Sequence, residues 1–170
     1  MTLSTLKFLY LLCSMQQRLT PAQALEKIKH YCAYQERSHD EVKQKLYGYG
    51  LYGRDVDQLM ATLIEGNYLN EERFALAFAG GRFRLKHWGK IKIRHELQAR
   101  RVSSYNIQAA LRSIPETDYE AQLQQLARKK MESLKSGSAM EKHAKTYQYL
   151  LQKGFESALI SRVLQEIKPA

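Results

Sequence analysis

Cysteine is scarce in this chain: Cys13 and Cys32 are the only two among 170 residues, and they form no CxxC pair and offer no zinc-ligand spacing. A disulfide framework and a cysteine metal centre are therefore excluded, and a reducing, cytoplasmic setting is expected. Proline is nearly absent too, with Pro21, Pro115 and Pro169 the only examples, so long stretches carry no helix breaker. The apolar run from Phe8 to Cys13 is too short to cross a bilayer, and no A-x-A-like cleavage site follows it. No membrane association is expected. Residues 1–20 are read as an N-terminal extension, disordered or loosely docked, with Met15 as an alternative start; a lipoprotein signal ending at Cys13 lacks the small residue that should precede it.

Signs of catalysis are missing as well. The five histidines, His30, His39, His87, His95 and His143, share no spacing suited to a metal or an acid–base pair. No GxSxG, Walker phosphate loop or HExxH occurs, and Gly89-Lys90 has neither the upstream glycine nor the following hydroxyl of a phosphate loop. Glu71 and Glu72 adjoin each other at an expected helix start, where carboxylates complement the positive end of the dipole. The reading is of a non-enzymatic protein with no cofactor and no metal.

What the chain does have is helix formers and repetition. Leu, Ala, Lys, Gln, Glu and Arg dominate between the prolines. Val42, Leu46, Leu51, Val56 and Leu63 have separations of four, five, five and seven; these recur at Ile93, Leu97, Val102, Ile107 and Ile114, and again at Thr146, Leu150, Phe155, Ile160 and Ile167. Each copy reads as a helix, a turn and a helix, with a further helix ahead of it. Ser38 to Glu41 is an S-x-x-E capping box, Asn70 and Ser103 or Ser104 cap later helices, and Gly50, Gly66 and Gly154 end others. The fold class is all-α: three tandem three-helix repeats, 21–69, 70–114 and 115–170, forming an elongated, curved right-handed stack in which neighbours share apolar faces. In the second repeat, Phe74, Phe78, Gly81 and Leu85 fall on one helix face and Leu76, Ala79 and Phe83 on the opposite one, which predicts a helix packed on both sides.

Charge is spread unevenly. The net charge is +10, and residues 70–114 carry ten basic against three acidic residues, seven of the ten net positive charges. The densest stretch is GGRFRLKHWGKIKIRHEL at 80–97, with Arg82, Arg84, Lys86, Lys90, Lys92 and Arg94 against the single acid Glu96. Such a run weakens the compact state by self-repulsion unless an anion offsets it. Helical spacing puts Arg82 with Lys86, and Lys90 with Arg94 and Arg101, while Arg100, Arg128, Lys129 and Lys130 extend the surface. Trp88, the only tryptophan, is either a packing lid at the junction or a stacking platform for a base. A cationic face of this kind suits a phosphate backbone, an acidic protein groove, or a protein already holding nucleic acid.

Three stretches, RSHDEVKQKLYGYGL, LIEGNYLNEERFALAFAGGRFR and GKIKIRHELQARRVSSYNIQAAL, together resemble the regulatory protein RecX family, strongly over residues 22 to 114 and weakly beyond. The resemblance implies a nine-helix modulator of the RecA recombinase that lodges in the groove of the RecA–single-stranded DNA filament and damps its strand exchange and ATPase. Double-stranded DNA is expected as a further partner, and a monomeric state is expected. Arg100-Arg101 departs from the family's usual Lys-Gly, placing a cation where a helix-ending glycine is common. Two other readings stand beside it: a general nucleic-acid-binding helical module, and a helical scaffold for an acidic protein partner.

Overall fold

The computed structural model describes residues 18–167, so the expectations for the first seventeen residues lie outside it. Among the described residues there are nine helices and no strand: α1 Pro21–Tyr34, α2 His39–Gly48, α3 Arg54–Glu65, α4 Glu71–Lys86, α5 Lys90–Ala99, α6 Ser104–Arg112, α7 Glu116–Ser133, α8 Ala139–Lys153 and α9 Ser157–Glu166. Local chemistry explains the starts. Thr20, Ser38 and Ser138 each accept from the backbone N–H three residues on, and the Gln23, Glu41 and Glu141 side chains return the bond to the cap, making three capping boxes. Ser103 caps α6 through the N–H of Asn106. No helix among the described residues is long and apolar enough to cross a membrane.

The chain divides into two compact units, residues 1–71 and 72–170. In the first, α1 packs on α2 and α3, and these pack on each other. Its core holds Ile28, Val42, Leu46, Val56 and Leu63, with Cys32 buried among them, its thiol pushed up to about 11 chiefly by that burial. The second unit contains two three-helix groups around one continuous core, which runs from Phe74 through Ile93, Leu97 and Tyr119 to Leu150, Phe155 and Ile160. Of the fifteen positions in the repeated pattern, fourteen are buried and Ile167 is half-buried. Thr146, the polar exception, satisfies its hydroxyl by donating to the Lys142 carbonyl at 2.8 Å.

The three repeats also share a turn. After the middle helix of each, Gly50, Arg101 and Gly154 take positive φ (81°, 57° and 88°). The next residue then donates back to the helix: Leu51 to Leu46, Val102 to Leu97 and Phe155 to Leu150. This is the closure in which a left-handed residue lets two orphan carbonyls find donors while apolar side chains meet beneath them. Arg101 thus occupies a position suited to glycine, beyond the end of α5, and the helical projection that grouped it with Lys90 and Arg94 does not apply. His87 is the analogous residue after α4, at φ 55° and exposed. His87→Gly is expected to stabilise the second unit by about 0.5–1 kcal/mol, because glycine carries no Cβ penalty there; an unchanged or lower denaturant midpoint would contradict this.

Helix α4 is buried on both predicted faces, with Phe74 of the one and Ala79 and Phe83 of the other in the core. Its buried residues are Phe74, Ala75, Ala79, Gly80 and Phe83, while Leu76 and Leu85 are exposed, Leu85 at 78%. Each face is therefore covered only in part, with Leu85 left out of the first and Leu76 out of the second.

His39, the first residue of α2, has a buried Nε2 with no hydrogen-bond partner. Burial lowers its pKa, with Glu71 opposing and Lys43 adding to the shift. A lowered folded-state pKa means that stability present above the ordinary histidine range is lost as pH falls, since the unfolded chain takes up the proton more readily. Denaturant unfolding of the first unit should therefore become easier from pH 7 towards pH 5, and His39→Gln should flatten that dependence; equal slopes would refute the assignment.

Candidate cationic and aromatic site

The turn between α4 and α5 is held by the third repeat. Gly89 donates to the Lys153 carbonyl at 2.8 Å, and Ile91 to the Gly154 carbonyl at 3.0 Å. The Lys90 N–H donates to the Tyr119 hydroxyl at 2.9 Å, which in turn donates to Glu156 at 2.7 Å. The unpaired amides at the start of α5 thus meet the unpaired carbonyls at the end of α8, which also opposes the two helix dipoles favourably. The contact is backbone on backbone: a Cβ at Gly89 would lie 2.2 Å from the Gly154 oxygen. Gly89 serves this approach and not phosphate. Tyr119 is 1% exposed, packed on Phe83 and Phe155, and burial drives its phenol pKa far up, so it remains a donor to Glu156.

On this frame the cations separate into groups. Trp88, half-buried against the core, lies between the Arg82 guanidinium, 5.2 Å from its ring centroid, and the Lys92 ammonium at 4.8 Å. Lys92 also donates to the Gln152 carbonyl, and Lys153 to the Lys86 carbonyl. Lys153 lies 5.6 Å from the Tyr149 ring, which Lys130 approaches at 5.4 Å. Arg82 and Lys92 therefore stand at the Trp88 ring and Lys130 and Lys153 at the Tyr149 ring, with Lys86 joined to the second pair through its backbone carbonyl. None of the five pairs with a carboxylate among the described residues.

The remaining predicted residues lie elsewhere. Residues two apart on a helix point about 160° from one another, so exposed Arg84, Arg94 and Arg128 face away from Lys86, Lys92 and Lys130. The Arg84 guanidinium folds back over Gly80. Lys90 pairs with Glu116 above the Tyr119 ring. Arg100 pairs with Glu96 and lies over Phe78. Lys129 is exposed on α7, and Arg101 is engaged at the end of α5. Lys153 and Tyr149 escaped the sequence reading, since they stand more than sixty residues from Lys86 and Trp88. Among the described residues, no group of His, Cys, Asp and Glu could hold a metal ion.

The family profile described as RecX, second three-helix domain, matches residues 70–111, and the one described as RecX, third three-helix domain, matches 117–164. A regulatory protein RecX of Prosthecochloris aestuarii is 32% identical over 145 residues, covering 85% of this chain and 93% of its own length. The chain belongs to the RecX family. The RecX match is thus firm in the third repeat, where the motifs quoted above gave only a weak one. A regulatory protein RecX of Oceanobacillus iheyensis is 26% identical over 153 residues, and the chain spans 56% of that longer protein. The crystal structure of RecX from Lactobacillus salivarius has the same fold, with a TM-score of 0.78 at 22% identity, covering 86% of this chain and 95% of that one.

Proposed function

We propose that this RecX-family chain regulates the RecA recombinase by binding in the groove of the RecA–single-stranded DNA filament, damping strand exchange and the filament ATPase without chemistry of its own. The relatives' shared description as regulatory proteins supports the class of function. The observation that carries the contact is the pair Arg82 and Lys92 at the Trp88 ring, with Lys86 and Lys153 joined through the Lys86 carbonyl, all four free of carboxylate partners among the described residues. Uncompensated cations beside an aromatic ring are matched by phosphates or by an acidic filament surface. Binding would then act by occlusion and by altering contacts between protomers. The chain acts as a monomer, and double-stranded DNA is a weaker partner reached through the same cations.

The test is one titration in three arms: bare single-stranded DNA, RecA alone, and the preformed filament, each across a salt series. Preference for the filament, with affinity falling as salt rises, is the expected result. Equal affinity for bare DNA would make the chain a general nucleic-acid module instead, and indifference to DNA would make it a scaffold for an acidic protein.

A further inference from the structure

The third repeat carries a groove that the function proposed above leaves unused. It measures 410 Å³ and is lined by Lys130 of α7, by Leu134 just beyond that helix, and by Lys145, Gln148, Tyr149 and Gln152 of α8. It holds two lysines and two amides and has no acidic lining residue. Neither lysine pairs with a carboxylate among the described residues. The groove is continuous with the Trp88 cluster on two sides: the Gln152 carbonyl accepts from Lys92, and Lys153 shares the Tyr149 ring with Lys130.

We infer that this groove is a second binding site, taking one nucleotide unit of a single-stranded phosphodiester chain whose neighbouring phosphates reach the Trp88 cluster. Three features favour this ligand over an acidic peptide. Lys130 and Lys145 supply point charges of the kind that hold phosphate. The Gln148 and Gln152 amides offer donors and acceptors to a base edge. The half-buried Tyr149 ring holds the Lys130 and Lys153 ammoniums over it at 5.4 and 5.6 Å, so one phosphate can meet two cations at once. A carboxylate-bearing peptide would not need the mixed amides. This inference rests on the proposed function only in that the same strand would run from the groove to the Trp88 cluster.

The experiment uses the full chain and an oligothymidylate followed by fluorescence anisotropy across a salt series, with thymidine monophosphate and inorganic phosphate as competitors. Lys130→Gln with Lys145→Gln should weaken oligonucleotide binding at least tenfold and reduce the salt slope by about 1.4, the value for two contacts on a single strand. Lys130→Arg with Lys145→Arg should retain affinity, which separates loss of charge from loss of fold. Thymidine monophosphate should compete better than inorganic phosphate; equal competition would reduce the groove to a generic anion patch and overturn the assignment. So would unchanged binding by the double glutamine variant. If that variant binds normally while Lys86→Ala with Lys92→Ala fails, the groove falls and the Trp88 cluster stands; the reverse pattern leaves the groove and removes the cluster.

Discussion

Gly89→Ala is expected to unfold the joint between the second and third repeats. The new methyl carbon would lie 2.2 Å from the Gly154 oxygen, 2.3 Å from its carbonyl carbon and 2.4 Å from the Phe155 nitrogen, all backbone atoms that cannot rotate away. Relief requires α5 and α8 to part, which gives up the Gly89 and Ile91 hydrogen bonds and loosens the Tyr119 hydroxyl between Lys90 and Glu156. Overpacking of this kind with two lost bonds amounts to about 3 kcal/mol or more. For a unit of this size that is a fall of roughly 12 °C or more in melting temperature. Gly81→Ala is the control, because nothing lies within 4 Å of its added carbon; a helix-interior glycine replaced by alanine should be neutral or stabilising. Equal melting temperatures for Gly89→Ala and the unaltered chain would show that the backbone contact is not as close as described.

The second large effect concerns which cations matter. Lys86→Ala, Lys92→Ala and Lys153→Ala combined should weaken binding to the filament on the order of 100-fold and lower the salt slope by about 2, as expected if three phosphate contacts are lost. Arg84→Ala with Arg94→Ala removes two charges from the stretch that also holds Lys86 and Lys92 yet should leave affinity within about threefold, because both residues face away from the cluster and only the long-range field changes. The two sets compete directly. If the arginine pair weakens binding as much as the lysine triple, net charge and not arrangement is what the filament reads. A melting curve on the triple variant guards against a trivial loss, since Lys92 and Lys153 each donate one hydrogen bond to an exposed backbone carbonyl.

The predicted stretch 80–97 was thus both informative and incomplete. It located the middle repeat's cations but treated proximity in sequence as proximity in space. Lys90 and Arg100 are absorbed by Glu116 and Glu96, one of them from the next repeat and the other a helical turn away. The Arg100–Glu96 pair could have been read from its i, i+4 spacing. The Lys90–Glu116 pair could not, because it depends on α7 crossing the start of α5. Trp88 illustrates the same limit: the alternatives of packing lid and stacking surface were legible, but the flanking of its ring by Arg82 and Lys92 was not.

Composition, periodicity and caps by themselves determined that the chain is helical, that its unit repeats three times, and where its helices begin and end. These are short-range properties: a capping box, a left-handed turn residue and an apolar step of three or four act within a few residues of backbone. Tertiary structure alone decided which cations stand together, that Gly89 touches Gly154, and that Lys153 meets both the Lys86 carbonyl and the Tyr149 ring. Those outcomes depend on how helices sixty residues apart dock, and docking is settled by shared apolar burial and backbone fit, which no local pattern in the chain encodes.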